Sequence, residues 1–310
     1  MGHRRFPLTR LSVATVSTTS IGPRLTIDES WTGLSKVHSN PDVFVIDDFL
    51  SDSACNDIRQ KALEKGTMQQ SPVAYAGWTR DFSDLIELAA KGPVAWLSLL
   101  TAWLQLKDDS SATQIDLVIR ALQSYAAYFV LAASIIALYT KLRTDNLQNL
   151  RTSTSTTLDT LDQGTSEFVR KSAQLFGGDS KLSNEAALFE APTVIRYEKG
   201  QVLAPHYDAN IAADTEDANR GGQTLATLIV YLNDVPEGGA TRFGKLDLTV
   251  QPKQGDALLF FPADANGTFD DRLEHEGCPA IDEKWIARIW RHRYRVQPPF
   301  GLSDEAISTL

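Results

Sequence analysis

The sequence predicts an α+β protein, with helical segments and two long apolar runs in its first half and a β-rich body in its second. Three observations carry this reading. From residue 192 to residue 296, short runs rich in Val, Ile, Leu and aromatics follow one another, punctuated by Gly, Pro, Asn or Asp; that is the pattern of a sandwich or barrel. The apolar spacing in ACNDIRQKALEKG (54–66) and SEFVRKSAQLFGG (166–178) suits amphipathic helices, with Gly177 or Gly178 as the second helix's stop. Between these two helices, residues 86–142 form an apolar pair of segments, and Ala121–Tyr139 carries no formal charge.

Composition narrows the function classes. Across 310 residues, 43% are hydrophobic and 22% charged, which excludes a wholly disordered or collagen-like chain. A formal charge of −9 argues against a nucleic-acid partner, whose binders carry a basic balance. Cys55 and Cys278 are the two cysteines, too few for a disulfide framework or a Cys-rich zinc site. Five histidines (His3, His38, His206, His275 and His292) are the whole supply for any His-dependent metal site.

Residues 1–26 hold Arg4, Arg5, Arg10 and Arg24, many Ser and Thr, and no acidic residue. They fit an organellar targeting segment or a disordered tail. VFVIDDFLS (43–51) then alternates into an acidic turn ahead of the first helix. Of the two apolar runs, Ala121–Tyr139 has the ~20-residue length a bilayer-spanning helix needs, and Pro93–Leu106 is marginal. A transmembrane hairpin is the favoured reading, with a helix pair buried against the rest of the protein as the alternative. Residues 149–163 read as a polar connection, and no internal repeat is present.

The chemistry gathers around His206-Tyr207-Asp208, just past the strand-like VIRYEKGQ. In an extended segment, residues i and i+2 share a face, so His206 and Asp208 can reach one metal ion. A second imidazole completes the two-His, one-carboxylate set of non-haem Fe(II), and His275 is the natural donor. Lys284 opens the alternating strand KWIARIWRHRY, where a cation can pair with a carboxylate held over the metal; Arg288, on the same face, is the second choice. His-x-Asp alone is a weak signal, and a hydrogen-bonded strand histidine beside a solvated aspartate is the ordinary alternative.

Four ordered motifs give that site its context: IRYEKGQVLAPHYD (195–208), TLIVYLNDVPEGGATRF (227–243), VQPKQGDALLFF (250–261) and HEGCPAIDEKWIARIW (275–290). Together, residues 192–296 resemble the 2-oxoglutarate- and Fe(II)-dependent dioxygenases of the prolyl 4-hydroxylase family. VFVIDDFLS and the LRTSTSTTL segment (150–158) are more loosely similar to that family's leading region. The resemblance implies a double-stranded β-helix (jelly-roll) catalytic core with supporting helices, into which the apolar hairpin is inserted. It implies that His206, Asp208 and His275 hold Fe(II), that Lys284 binds the distal carboxylate of 2-oxoglutarate, and that Tyr197 lines the cosubstrate pocket. Ascorbate is the implied reductant, O₂ the co-reactant and peptidyl proline the implied substrate.

The sequence also departs from the family. Lys284 follows His275 one residue sooner than in collagen-type prolyl hydroxylases, residues 86–142 have no counterpart, and no peptide-substrate-binding repeat region supports collagen as the substrate. The expected organisation is a tail (1–26), an N-terminal part of the catalytic domain (40–85), the hairpin (86–142) and the dioxygenase domain (143–300). A different oxygenase acting on a lipid or small molecule is one alternative, and a non-catalytic membrane scaffold or iron/2-oxoglutarate sensor is another. Lys91, Lys141, Arg143 and Arg151 flank the hairpin on the catalytic side, which the positive-inside rule places in cytosol, matrix or stroma. The family points instead to the endoplasmic reticulum, leaving an organellar inner membrane as the alternative.

Overall fold

The computed structural model describes residues 21–71, 82–178, 181–210 and 220–310; the targeting-like reading of the first twenty residues lies outside them. Two antiparallel sheets form the body. The larger has eight strands in the order β1-β2-β10-β7-β12-β5-β4-β3: Leu34–His38, Val43–Ile46, Ala257–Phe260, Thr224–Tyr231, Lys284–His292, Thr193–Tyr197, Thr154–Thr157 and Gln69–Gln70. The smaller has four, in the order β6-β11-β8-β9: Leu203–His206, His275–Gly277, Thr241–Phe243 and Leu248–Val250. From β5 to β12 the chain passes large, small, large, small, then small, large, small, large. That double winding is the jelly-roll core the sequence predicts.

The central strands are built to be covered on both faces. All eight residues of β7 are buried, and its side chains divide by the two-residue period of a strand. Ala226, Leu228 and Val230 join a core on the outer face of the large sheet, while Ile229 and Tyr231 enter the core between the sheets. β12 divides likewise: Trp285, Ala287 and Ile289 go outward and Ile286 inward. The polar residues Lys284 and Arg288 share the inward face with Ile286, and there they border a cavity.

Helices α1 (Asp52–Glu64) and α5 (Gln163–Gly177) close the outer face. Ser51 caps α1 by accepting from the Ala54 N–H, and Gly178, at φ +70°, ends α5 in the left-handed region that a residue with a Cβ rarely adopts. The 150–163 stretch is more than a polar connection. Thr154–Thr157 is a full strand of the large sheet, paired with β5, and Ser155 and Thr156 are buried. Its hydroxyl-rich composition hid it, because the period-two signal depends on apolar residues.

The apolar segment is helical throughout. α2 (Phe82–Ala89), a π-helical turn over Ala90–Val94 and α3 (Ala95–Leu106) run in succession, and α4 (Gln114–Leu150) returns. The π turn lets the helix pass Pro93, which has no N–H to give. Tyr125 on α4 donates its hydroxyl to the Ala90 carbonyl, and Thr101 meets the Tyr128 hydroxyl at 2.9 Å. Val94, Ser98 and Ala102, four residues apart, are the buried positions of this limb, and small side chains there let the helices approach closely. Trp96, Leu100, Trp103, Leu122, Leu131 and Ile135 are all about half exposed or more. By length and composition, Leu85–Leu106 and Gln114–Leu142 each suffice to cross a membrane, and the apolar window of the second has no fully buried residue.

Phe168 on α5 is fully buried and meets Phe49 edge to face at 6.4 Å between ring centres. Phe168→Ala is expected to destabilise the body by about 3–5 kcal/mol, read from the urea midpoint of tryptophan fluorescence, since the aromatic leaves a cavity that the flanking sheet cannot collapse into. A cost below about 1 kcal/mol would contradict this account of the helix–sheet interface.

Candidate metal centre

Strand pairing sets the two predicted imidazole ligands side by side, and Asp208 follows just past the strand. β11 runs antiparallel to β6 with His275 directly opposite His206, and the imidazole centres are 4.3 Å apart. Asp208, two residues past His206, reaches between them: its Oδ1 is 3.5 Å from His206 Nε2 and its Oδ2 3.6 Å from His275 Nε2. One donor atom from each side chain lies within 4.8 Å of the other two. Two imidazole nitrogens and a carboxylate oxygen gathered this closely are the donor types that one divalent ion takes.

The surroundings fit a divalent ion. His206 presents Nδ1 to the Ala204 carbonyl at 3.0 Å, and His275 presents Nδ1 to the Leu273 carbonyl at 3.1 Å. A proton on each Nδ1 leaves both Nε2 lone pairs aimed at Asp208, the arrangement that second-sphere carbonyls impose on metal-binding histidines. Thr227 Oγ1 donates to Asp208 Oδ2 at 2.8 Å from the neighbouring sheet. Burial works against the Asp208 charge, yet the two imidazoles, His275 foremost, hold the carboxyl well below its usual range. Burial in turn presses His275 down to about 4, so it is a neutral ligand at pH 7. Phe243 and Phe260 pack on its ring and keep water from its far side.

Lys284 lies at the other end of the same cavity, 2% exposed. Its Nζ donates to the Gly239 carbonyl at 2.5 Å and stands over the rings of Tyr197 and Tyr231 at 5.3 and 5.7 Å. Gly239 can present that oxygen because it and Gly238 sit at φ +63° and +69°, where a Cβ on Gly238 would meet the Pro279 carbonyl at 2.5 Å. Among the described residues, no carboxylate lies within ion-pair distance of Lys284. Burial lowers its pKa to about 8. An unpaired buried ammonium facing three metal-type ligands across a cavity is the complement of a small dianion that chelates a metal at one end. The donor set and this cation together fit Fe(II) and a 2-oxo diacid.

Arg288, the second choice for that carboxylate, already has one. Its guanidinium lies 3.9 Å from Glu190 and stacks 3.5 Å above the Trp290 ring centre. Burial lowers its pKa to about 10. Tyr197 lines the cavity, directly across the ladder from Lys284. Sequence reasoning passed over Thr227, whose period-two position in TLATLIVY shares a face with Ile229 and Tyr231 and could have revealed it. It also passed over Arg151 as a site residue, although Arg151 borders both this cavity and an adjoining groove. Arg220, Glu190, Arg288 and Phe300 continue that groove.

Residues 192–292 match the 2OG-Fe(II) oxygenase superfamily. Over this segment, about a third of the chain, the protein is similar to that superfamily. The family implies Fe(II) and 2-oxoglutarate as cofactor and cosubstrate. The oxygenase domain is similar to curated plant proteins: it is 38% identical over 123 residues to probable prolyl 4-hydroxylase 3 of Arabidopsis thaliana, covering 33% of this chain and 42% of that protein. With prolyl 4-hydroxylase 1 of the same plant it shares 40% identity over 111 residues, covering 31% and 38%. The chain thus spans about two fifths of the length of the curated relatives it matches. Among solved structures, the viral collagen prolyl hydroxylase of Paramecium bursaria Chlorella virus-1, in complex with 2OG, aligns over 80% of this chain and 94% of that one at 22% identity and a TM-score of 0.44.

The Lys284 environment sets a pH signature. A lysine whose folded pKa falls to about 8 binds its proton less readily than the unfolded chain does, so its burden on stability is full below pH 8 and fades towards pH 10.5. The metal-free Lys284→Met variant is therefore expected to be more stable than the parent at pH 7. That advantage shrinks by something on the order of 3 kcal/mol by pH 10, in paired urea titrations. A pH-independent difference would mean that Lys284 stays solvated.

Proposed function

We propose that the protein is a membrane-anchored Fe(II)- and 2-oxoglutarate-dependent dioxygenase that hydroxylates peptidyl proline and releases succinate and CO₂. The observation that carries this reading is the pairing of a His206–Asp208–His275 donor set with the buried Lys284, which has no carboxylate partner among the described residues, in one cavity. When bound, the metal supplies a Lewis-acidic centre with open positions for cosubstrate and oxygen. The protein's part is positional. Carbonyls and Thr227 hold the three ligands in one orientation, Lys284 takes the cosubstrate's distal carboxylate, and Tyr197 packs beside the Lys284 ammonium. Ile195, Ile229 and Ile286 give the cavity dry walls, which strengthens each charge–charge contact inside it. Ascorbate is the natural reductant to supply in assays.

The Arabidopsis relatives are named prolyl 4-hydroxylases, and that supports proline as the acceptor. The groove running from the metal cavity past Arg151 and Arg288 gives an extended peptide a place to lie. The hairpin serves as the anchor. A 22-residue limb is about 33 Å long, against about 30 Å of hydrocarbon. Pieces of one body precede and follow the hairpin, so the chain must cross an even number of times.

Three measurements test this. His206→Ala, Asp208→Ala and His275→Ala should each abolish Fe(II)-dependent succinate formation, and full turnover in any of them would sink the assignment. Lys284→Ala should raise the KM for 2-oxoglutarate by 10–100-fold, as loss of a buried charge-assisted contact of about 1.5–3 kcal/mol requires. Resistance to alkaline carbonate extraction, lost on deletion of residues 85–142, is the expected mark of the anchor.

A further inference from the structure

The hairpin and the metal cavity meet at one residue. α4 leaves the apolar stretch at Leu142 and continues without a break to Leu150. The next residue is Arg151, which bridges to Leu203 on β6 and borders both the metal cavity and the groove. The two strands between which the hairpin is inserted, β3 and β4, supply Gln69, Ser155 and Thr156 to the groove wall. A rigid rod therefore links the end of the apolar stretch to the rim of the site.

Its length sets a distance. Nine residues at 1.5 Å each put Arg151 about 14 Å beyond the hydrocarbon boundary at Leu142. The headgroup layer fills roughly the first 5–8 Å of that. Arg151, at the rim of the cavity, then lies just outside the headgroups. An extended polypeptide emerging from the same bilayer covers about 14 Å in some four residues.

Resting on the proposed function above, we infer that the substrates are juxtamembrane segments of membrane-anchored polypeptides, oxidised at a residue about 4–12 positions from the bilayer. Closer residues cannot reach the cavity. More distant ones reach it with an effective concentration that falls as the tether lengthens. The groove's open wall, which offers Gln69, Ser155 and Arg151 beside apolar surface, suits an extended chain passing along the sheet edge. Sharing a membrane raises the local substrate concentration without any added contact.

The test uses the full chain in phosphatidylcholine vesicles and has two arms. In the first, Mn(II) is bound in place of iron and the lipid phosphorus resonance is followed. Line broadening beyond that of a His275→Ala control is expected, because the triad holds the ion near the headgroups. Mn(II) binding without added broadening overturns the inference and leaves the metal reading intact, whereas absence of Mn(II) binding overturns both. In the second arm, a proline-containing acceptor is tethered to a leucine/alanine transmembrane anchor through Gly/Ser spacers of 0 to 40 residues, with the same peptide supplied free. Oxidation should peak at short intermediate spacers, at least about tenfold above the free peptide at equal bulk concentration, and decline at both extremes. Equal rates for tethered and free peptide, a rate indifferent to spacer length, or no oxidation of any tethered peptide while Mn(II) broadening persists would each overturn it.

Discussion

The structure depends on one pairing of short strands. β6 and β11 contribute four and three residues, and their antiparallel register sets His275 opposite His206. A slip of one residue would turn one imidazole to the other face of the small sheet and remove it from Asp208. So short a ladder cannot hold that register by its own hydrogen bonds. It is held by what packs around it: Phe243 and Phe260 against the His275 ring, and Thr227, from the fully buried β7, on Asp208. The inter-sheet core is thus the support of the metal-type site, and its rigidity is what a preorganised site requires.

The same inter-sheet space carries the opposing charge. An acidic chain would be expected to neutralise a buried lysine with a carboxylate, yet among the described residues Lys284 meets a backbone oxygen and two aromatic faces and no carboxylate. Leaving a cation so placed costs stability, and such costs persist in proteins where a ligand removes them. Arg288, four residues on and on the same face, is treated differently, with Glu190 and Trp290 beside it. Two cations of one strand thereby have different surroundings: one faces the cavity beside a backbone oxygen and aromatic rings, and the other lies in the wall shared with the groove beside Glu190.

The hairpin joins the body at the most tolerant place the sheet offers. β3 is a two-residue edge strand, and insertion between it and β4 leaves the double winding of β5 to β12 untouched. The helices satisfy their own backbone groups, with Tyr125 and Thr101 serving the irregular turn and the small-residue seam, so their outer surface can remain apolar.

Much of this was legible in the residues. Strands β2, β5, β7, β9, β10 and β12, the helices α1 and α5, the apolar pair and the candidacy of His206, Asp208, His275 and Lys284 follow from periodicity, side-chain chemistry and ordered motifs, because those properties are local. The hydroxyl-rich β4 was not legible, since its burial comes from β5 and β3 rather than from its own polarity. Thr227 and Arg151 were likewise silent as site residues: a threonine in an apolar run and an arginine after a helix acquire meaning only when a neighbouring strand sets them beside Asp208 or the cavity. Nor could spacing choose between Lys284 and Arg288, which share a face by counting and are separated only by Glu190, nearly a hundred residues earlier. The sequence by itself determined which chemical groups are available and which faces they occupy, because side-chain type and strand period are written along the chain. Only the tertiary structure decided which of those groups meet and which charge is left without a partner, because contacts between distant segments depend on register and packing.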